Sequence, residues 1–249
     1  MSSIKIAGIL GKIFGEKETS PDISDRVGGI AAVSASSLPV YAGIEALGRH
    51  TGAKPIEQLQ SVDDPVVSNV LDDMRLKKNM TAPLSEIRSE DMVRNNIPGD
   101  SAVYNKKFDK IHHSEKTPAH LVLHEAGHAS NRDKPVARVL DKLNKGMSTH
   151  RTLGLATAVG LGSTENEHVQ NAAPLAVAAV HTPNLLEEGR AWLNADQSLR
   201  NQLPRDKRNI LKSFRGRGLG SLASYGLTAG ANVAAAHKLP DIIDWISEQ

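Results

Sequence analysis

Residues 124 to 128 read His-Glu-Ala-Gly-His, an HExxH arrangement with two imidazoles four positions apart. On a helix this spacing puts both rings on one face, one turn above the other, at a separation that a single divalent ion can bridge. Glu125, beside the first ring, is placed to take a proton from a water that such an ion activates for attack on a carbonyl. With 10 His and 13 Glu in the chain, chance would produce the pattern about 0.02 times, so a metal site outweighs a coincidental helical pair. The chain contains no cysteine, which removes thiolate zinc sites, iron–sulfur clusters, disulfides and a cysteine nucleophile. Any metal must be held by His, Asp or Glu.

Catalytic zinc takes three protein ligands and keeps a fourth position open. Residues 184–195 offer two carboxylates for the third place, Glu187 and Glu188. Helical periodicity puts Leu185, Glu188, Ala191, Trp192, Ala195 and Leu199 on an apolar face, and Glu187, Arg190, Asn194 and Ser198 on a polar one. Glu188 is then the inward carboxylate, where an unpartnered charge is costly and a metal ion is a natural partner. Glu187 is expected to meet solvent and Arg190. Ala191 and Ala195 let this helix lie close under the HExxH helix, and Gly127, which lacks a side chain, permits close approach of the motif helix to a neighbouring element. The expected Zn2+ ligands are therefore His124, His128 and Glu188, with Glu125 as general base.

These side chains need rigid elements to hold them. Thr117-Pro118 opens the motif helix, with Thr as cap and Pro at the first helical position, and Leu121, Val122 and Leu123 supply apolar surface for its burial. Upstream, residues 84–88 and 101–113 have the short, mixed alternation of strands, with Asn105-Lys106-Lys107 as a hairpin turn. Residues 55–71, interrupted by Asp63-Asp64-Pro65, read as two short helices, the second continuing to Lys78. A further helix is expected after Pro183, running to about Leu203. The fold class is α+β and predominantly helical, with a small sheet beside the HExxH helix.

His124-Glu125-Ala126-Gly127-His128-Ala129, followed by Glu188-Gly189-Arg190-Ala191 with Ala195 beyond, resembles the gluzincin type of zinc metallopeptidase, whose third ligand is a Glu on a later helix. More narrowly, it resembles minimal-domain peptidases of the membrane-bound heat-shock protease and CAAX-processing protease kind. The resemblance spans residues 65–200. It implies a zincin-like domain in which Ala102, Val103 and Tyr104 form the edge strand that pairs with extended substrate, and residues 110–113 the strand returning to the active-site helix. The families usually carry Asp or Asn where this chain has Trp192, which leaves the group that orients a motif histidine unassigned. His181, His168, His150 and Arg200 are chemically able to stabilise an oxyanion, and none of them is assigned that role. His120, His112 and His113 are likewise unassigned.

Thirty Lys and Arg against 28 Asp and Glu give a net charge of +2, too little for a global field that recruits nucleic acid. Hydrophobic residues make up 39% and aromatic ones 3%, so small residues fill much of the apolar surface. Residues 27–44, 152–164, 169–186 and 218–237 lack charge, and only the last reaches 20 residues. A bilayer span needs about 20 apolar residues, and Pro39, Pro174 and Pro183 interrupt these stretches. They read as close-packed helices of a soluble core or as shallow membrane contacts rather than spans. At the start, Ile6, Ile9, Leu10 and Ile13 share a face flanked by Lys5 and Lys12, a cationic amphipathic helix that either docks on its own domain or lies in a membrane interface. Arg205, Lys207, Arg208, Lys212, Arg215 and Arg217 directly precede the longest uncharged stretch.

The expected organisation is an amphipathic helix at 1–20, an Ala/Gly-rich helical region at 21–64, a metallopeptidase core at 65–203 with an apolar helical insert at 152–186, and a basic segment with an apolar helix at 204–249. No secretory cleavage pattern is found, so the expected location is cytoplasmic or peripheral to a membrane. The expected activity is zinc-dependent hydrolysis of peptide bonds in a protein or peptide substrate. A rival reading is a structural or membrane-associated protein, part of an oligomer or larger assembly, with vestigial or single-event proteolysis on the same scaffold. Hydrolysis of a non-peptide amide would use the same residues.

Overall fold

The Asp64 carboxylate accepts the amide of Val66 at 2.8 Å, and Pro65 occupies the first helical position; together they start helix α1, Pro65–Lys78. Asn79 ends it in the left-handed conformation, with φ of 56° and its amide on the Met74 carbonyl. The computed structural model describes residues 61–136, 138–139 and 166–247, with isolated positions at 43, 46, 56, 59, 157, 160 and 161. The amphipathic start, most of the stretches at 27–44 and 152–164, and His150 lie outside the described residues. Of the expected first short helix, Ile56 and Leu59 are described, and they form an isolated β-bridge instead.

After α1 come strand β1 (Leu84–Glu86), helix α2 (Ser89–Arg94), strands β2 (Ala102–Asn105) and β3 (Lys110–His113), helix α3 (Ala119–Ala129), and two long helices, α4 (Glu167–Gln202) and α5 (Arg208–Ser247). A short 3-10 turn, Arg205–Lys207, joins the last two. β3 is the centre of a mixed three-stranded sheet, parallel to β1 and antiparallel to β2, which leaves β2 at an edge. The molecule is thus α+β and predominantly helical. No helix among the described residues is long and apolar enough to cross a membrane.

Two boundaries differ from the sequence expectation for physical reasons. Thr117 does not cap α3: its hydroxyl donates to the Ser101 carbonyl at 2.6 Å and accepts the Ser114 amide at 2.8 Å, tying the helix start to the sheet, while Pro118 is the capping residue. α4 does not begin after Pro183 but runs through both Pro174 and Pro183. An internal proline removes a helical hydrogen bond, at a cost of about 3 kcal/mol. Packing along α5 outweighs that cost here: Pro183 is buried, and the Thr182 hydroxyl donates to the Ala178 carbonyl.

The core lies where α1, α3, α4, α5 and the sheet meet. Val70 and Met74 of α1, Ile111 of β3, Val122 and Leu123 of α3, Trp192 and Leu199 of α4, and Ile210 and Phe214 of α5 are all buried there. α3 is the central element, buried on every side except a stripe at Leu121, Glu125 and His128. That stripe opens beside β2, so the fold leaves uncovered the side of the helix that carries the motif.

Candidate metal centre

α3 and α4 approach so closely that a side chain at Gly127 is excluded. A Cβ at Gly127 would stand 2.7 Å from the carbonyl carbon of Ala191 and 2.9 Å from its Cα, distances that backbone cannot accommodate. This contact sets the level of α4, and three residues before Ala191 it delivers Glu188 to the two imidazoles. His124 Nε2 lies 3.2 Å from one Glu188 oxygen and His128 Nε2 3.7 Å from the other, with the two imidazole Nε2 atoms 3.2 Å apart. One ligand atom from each residue falls within 4.8 Å of the others, a His-His-Glu group able to hold a metal ion. Among the described residues this is the group of that kind.

The electrostatics favour a cation. Burial alone would push the Glu188 carboxyl up, yet His124 and His128 outweigh it and hold the group well below the usual carboxylate range. Burial works against charge on His128, but Glu187 and Glu188 push it up to about 10. The cluster therefore holds ionised carboxylates around imidazoles, and a positive charge among them is stabilised, whether a proton or a metal ion carries it.

Glu125 extends the site toward the sheet. Its Oε2 accepts the Tyr104 amide at 2.7 Å, which fixes the carboxylate between the edge strand and the two histidines. Backbone groups alternate across an antiparallel pair. Tyr104 is thus turned away from β3, as is Ala102, while Val103 pairs with His112 on the inner side. Of the expected substrate strand, Ala102 and Tyr104 face the open edge through their backbone, and the Tyr104 amide already serves Glu125.

The expectation for Glu187 is corrected. It does not turn to solvent and Arg190; its side chain is only 15% exposed, bonded by Lys106 Nζ at 2.6 Å and 3.7 Å from His128 Nδ1. Burial opposes its charge, but His128 and Lys106 prevail and bring it down to about 2. Lys106 sits in the β2–β3 turn, 81 residues away in sequence, so no local pattern could have paired it with Glu187. Asn194 and Ser198, read as polar-face residues, are also buried. Asn194 donates to Ser130 Oγ and Asn131 Oδ1 at the end of α3, at 3.1 and 2.7 Å, and accepts Lys78 Nζ. α4 is covered on more than one side, which a single apolar stripe does not reveal.

Trp192, one turn beyond Glu188, stacks on His124 with centroids 4.5 Å apart and planes at 29°. The ring of the first expected ligand is thus held by an aromatic face, and its buried Nδ1 has no hydrogen-bond partner among the described residues. The signal was present in the face assignment, since Trp192 shares the inward row with Ala191 and Ala195. His181 is buried against Asn232 of α5 at 2.7 Å, Arg200 lines a cavity between α4 and α5, and His168 sits in the first turn of α4. None of these joins the cluster. His120 is fully buried one turn before His124, His113 is buried in β3, and His112 is half-buried beside it.

No family model, no curated protein and no solved structure matches the chain.

Proposed function

We propose that the protein is a zinc metallopeptidase of zincin-like fold, with His124, His128 and Glu188 as metal ligands and Glu125 as general base. The observation that carries this reading is the meeting of the three ligand side chains from two helices within 4.8 Å, with Glu125 one position from His124 on the open stripe of α3. The donor set suits zinc: two imidazole nitrogens and one carboxylate make three protein ligands and leave a fourth place open. When bound, the ion supplies Lewis acidity, lowering the pKa of a water and polarising a carbonyl.

The chain's own groups do the rest. Glu125 Oε2 is engaged by the Tyr104 amide, so Oε1 is the atom free to accept a proton from water as its oxygen bonds to the scissile carbonyl carbon. The same carboxyl then gives that proton to the departing amine as the C–N bond breaks, leaving a carboxylic acid and an amine. The outward backbone groups of Ala102 and the Tyr104 carbonyl hold an extended peptide alongside β2 by strand addition. Trp192 behind His124, and Lys106 with Glu187 beside His128, keep the rings oriented and limit their motion.

Metal content of purified wild type, Glu188→Ala and Glu187→Ala proteins tests the ligand set. One zinc per chain is expected, lost on dialysis from Glu188→Ala and retained by Glu187→Ala with an affinity reduced about 10- to 100-fold. Full retention by Glu188→Ala would remove Glu188 from the centre and the proposed mechanism with it.

A further inference from the structure

The joint between α4 and α5 carries a second feature, on residues other than the metal ligands and Glu125. A cavity of about 810 Å3 opens there, lined among others by Arg200, Arg205, Arg208, Lys212, Arg215 and Leu219. Arg215 is held by Asp196 in a two-pronged ion pair of 2.7 and 3.0 Å. The other four cations have no carboxylate partner among the described residues. Four unneutralised charges around one concavity repel one another and concentrate anions. Beside it is a mostly apolar cleft of about 280 Å3, lined by Trp192, Leu193, Phe214 and Leu222 together with the Asp196–Arg215 ion pair, which shares Arg215 and Leu219 with the cationic cavity. Leu219 is 68% exposed and Leu193 54%, so apolar surface continues from the cleft to the outside.

We propose that these neighbouring cavities together seat an anionic phospholipid, its phosphate among Arg200, Arg205, Arg208 and Lys212 and the start of an acyl chain passing over Leu219 into the cleft beside Trp192. Guanidinium groups match phosphate oxygens in geometry and charge. A cationic cavity beside an apolar one, with Leu219 in the lining of both, fits an amphiphile with a charged head and a hydrocarbon tail, where free phosphate would use only the first. The cavity is lined by helix ends and the short turn between them, with no strand among them, so an extended acidic peptide finds no strand edge to join, whereas a lipid needs none. There is also no aromatic face in the cationic cavity on which a nucleic acid base could stack. The uncharged stretch at 218–237 follows directly, which places the basic residues as a flank to apolar surface. Trp192 is common to both features, its indole lining the cleft and stacking on His124.

The test is flotation of the full chain with vesicles of equimolar phosphatidylcholine and phosphatidylglycerol, compared with phosphatidylcholine alone. Binding is expected to the anionic vesicles only. The exposed triple variant Arg205→Gln, Arg208→Gln, Lys212→Gln should lose on the order of a hundredfold in partitioning, Leu219→Ser should lose severalfold, and the three Lys/Arg-conserving changes Arg205→Lys, Arg208→Lys and Lys212→Arg should restore most of it. In a Trp245→Phe background, brominated acyl chains should quench Trp192 fluorescence. Several results would overturn the proposal: no anionic binding, binding undiminished in the triple variant (which would move it to residues 1–15 or elsewhere), or binding without quenching. Variant-sensitive binding of inorganic pyrophosphate or polyglutamate without vesicle binding would also overturn it, by making the occupant a soluble phosphate or an acidic peptide.

Discussion

Gly127→Ala probes the helix crossing on which the centre depends. The added Cβ would run into the Ala191 carbonyl oxygen, with the carbonyl carbon behind it only 2.7 Å away where ordinary contact begins at 3.4 Å, so α4 must retreat by more than about 0.7 Å. The obstacle is backbone, and no rotamer change relieves it. Overpacking of this kind costs about 1–3 kcal/mol, offset by about 1 kcal/mol from replacing glycine in a helix. The net destabilisation is therefore modest, about 0–2 kcal/mol, and the chain should still fold. The metal centre is less tolerant, since ligand distances must hold to about 0.2 Å. A retreat at Ala191 carries Glu188, one turn away, off the histidines, and zinc affinity should fall by at least about tenfold. Competition with a chromophoric chelator measures the affinity, and urea unfolding measures the stability. Gly226→Ala is the control: nothing lies within 4 Å of its Cβ, so it should stabilise by up to about 1 kcal/mol and leave zinc untouched. Wild-type zinc affinity in Gly127→Ala would refute the claim that this crossing sets the ligand geometry.

Asn194→Ala removes the bonds to Ser130 and Asn131 and leaves buried polar atoms unmatched, so urea unfolding should show a loss of about 1–3 kcal/mol with one zinc per chain retained; an unchanged midpoint would contradict the role given to Asn194. His128 in the metal-free protein is raised from 6.5 to about 10, so its contribution to stability is full below pH 6.5 and is lost as pH rises through about 10. Over the same window zinc must displace that proton, and its apparent affinity should rise about tenfold per pH unit. A zinc affinity that levels off above pH 7, followed by calorimetry in buffers of different ionisation enthalpy, would show His128 to be neutral at the outset.

The parts of this architecture readable from sequence are those whose causes are local. Asp64-Pro65 marks the start of α1, the HExxH spacing places two rings on one face, and the i, i+3, i+4 row separates Glu188 from its neighbour. What was not readable depends on contacts between distant segments. The Lys106 to Glu187 pair joins a hairpin turn to a helix, Asn194 and Ser198 are buried by neighbours that periodicity along α4 does not register, and the passage of α4 through Pro183 is decided by packing on α5. Thr117 was misread for a similar reason, because its hydroxyl serves Ser101 and Ser114 across the sheet boundary rather than the helix behind it. Gly127 falls between these cases: its small size suggested a close approach, and the structure supplies the partner, the Ala191 backbone.

The claim that most needs testing is that Glu125 moves protons in peptide hydrolysis. Cleavage of unfolded casein by zinc-loaded wild type should be compared with Glu125→Gln at equal zinc content, since the amide keeps the side chain's size and an oxygen for the Tyr104 amide but cannot accept the proton. Cleavage by wild type and a loss of about 10^2- to 10^4-fold in the variant are expected. Cleavage that survives in Glu125→Gln, or a zinc-replete wild type that cleaves nothing, would contradict it.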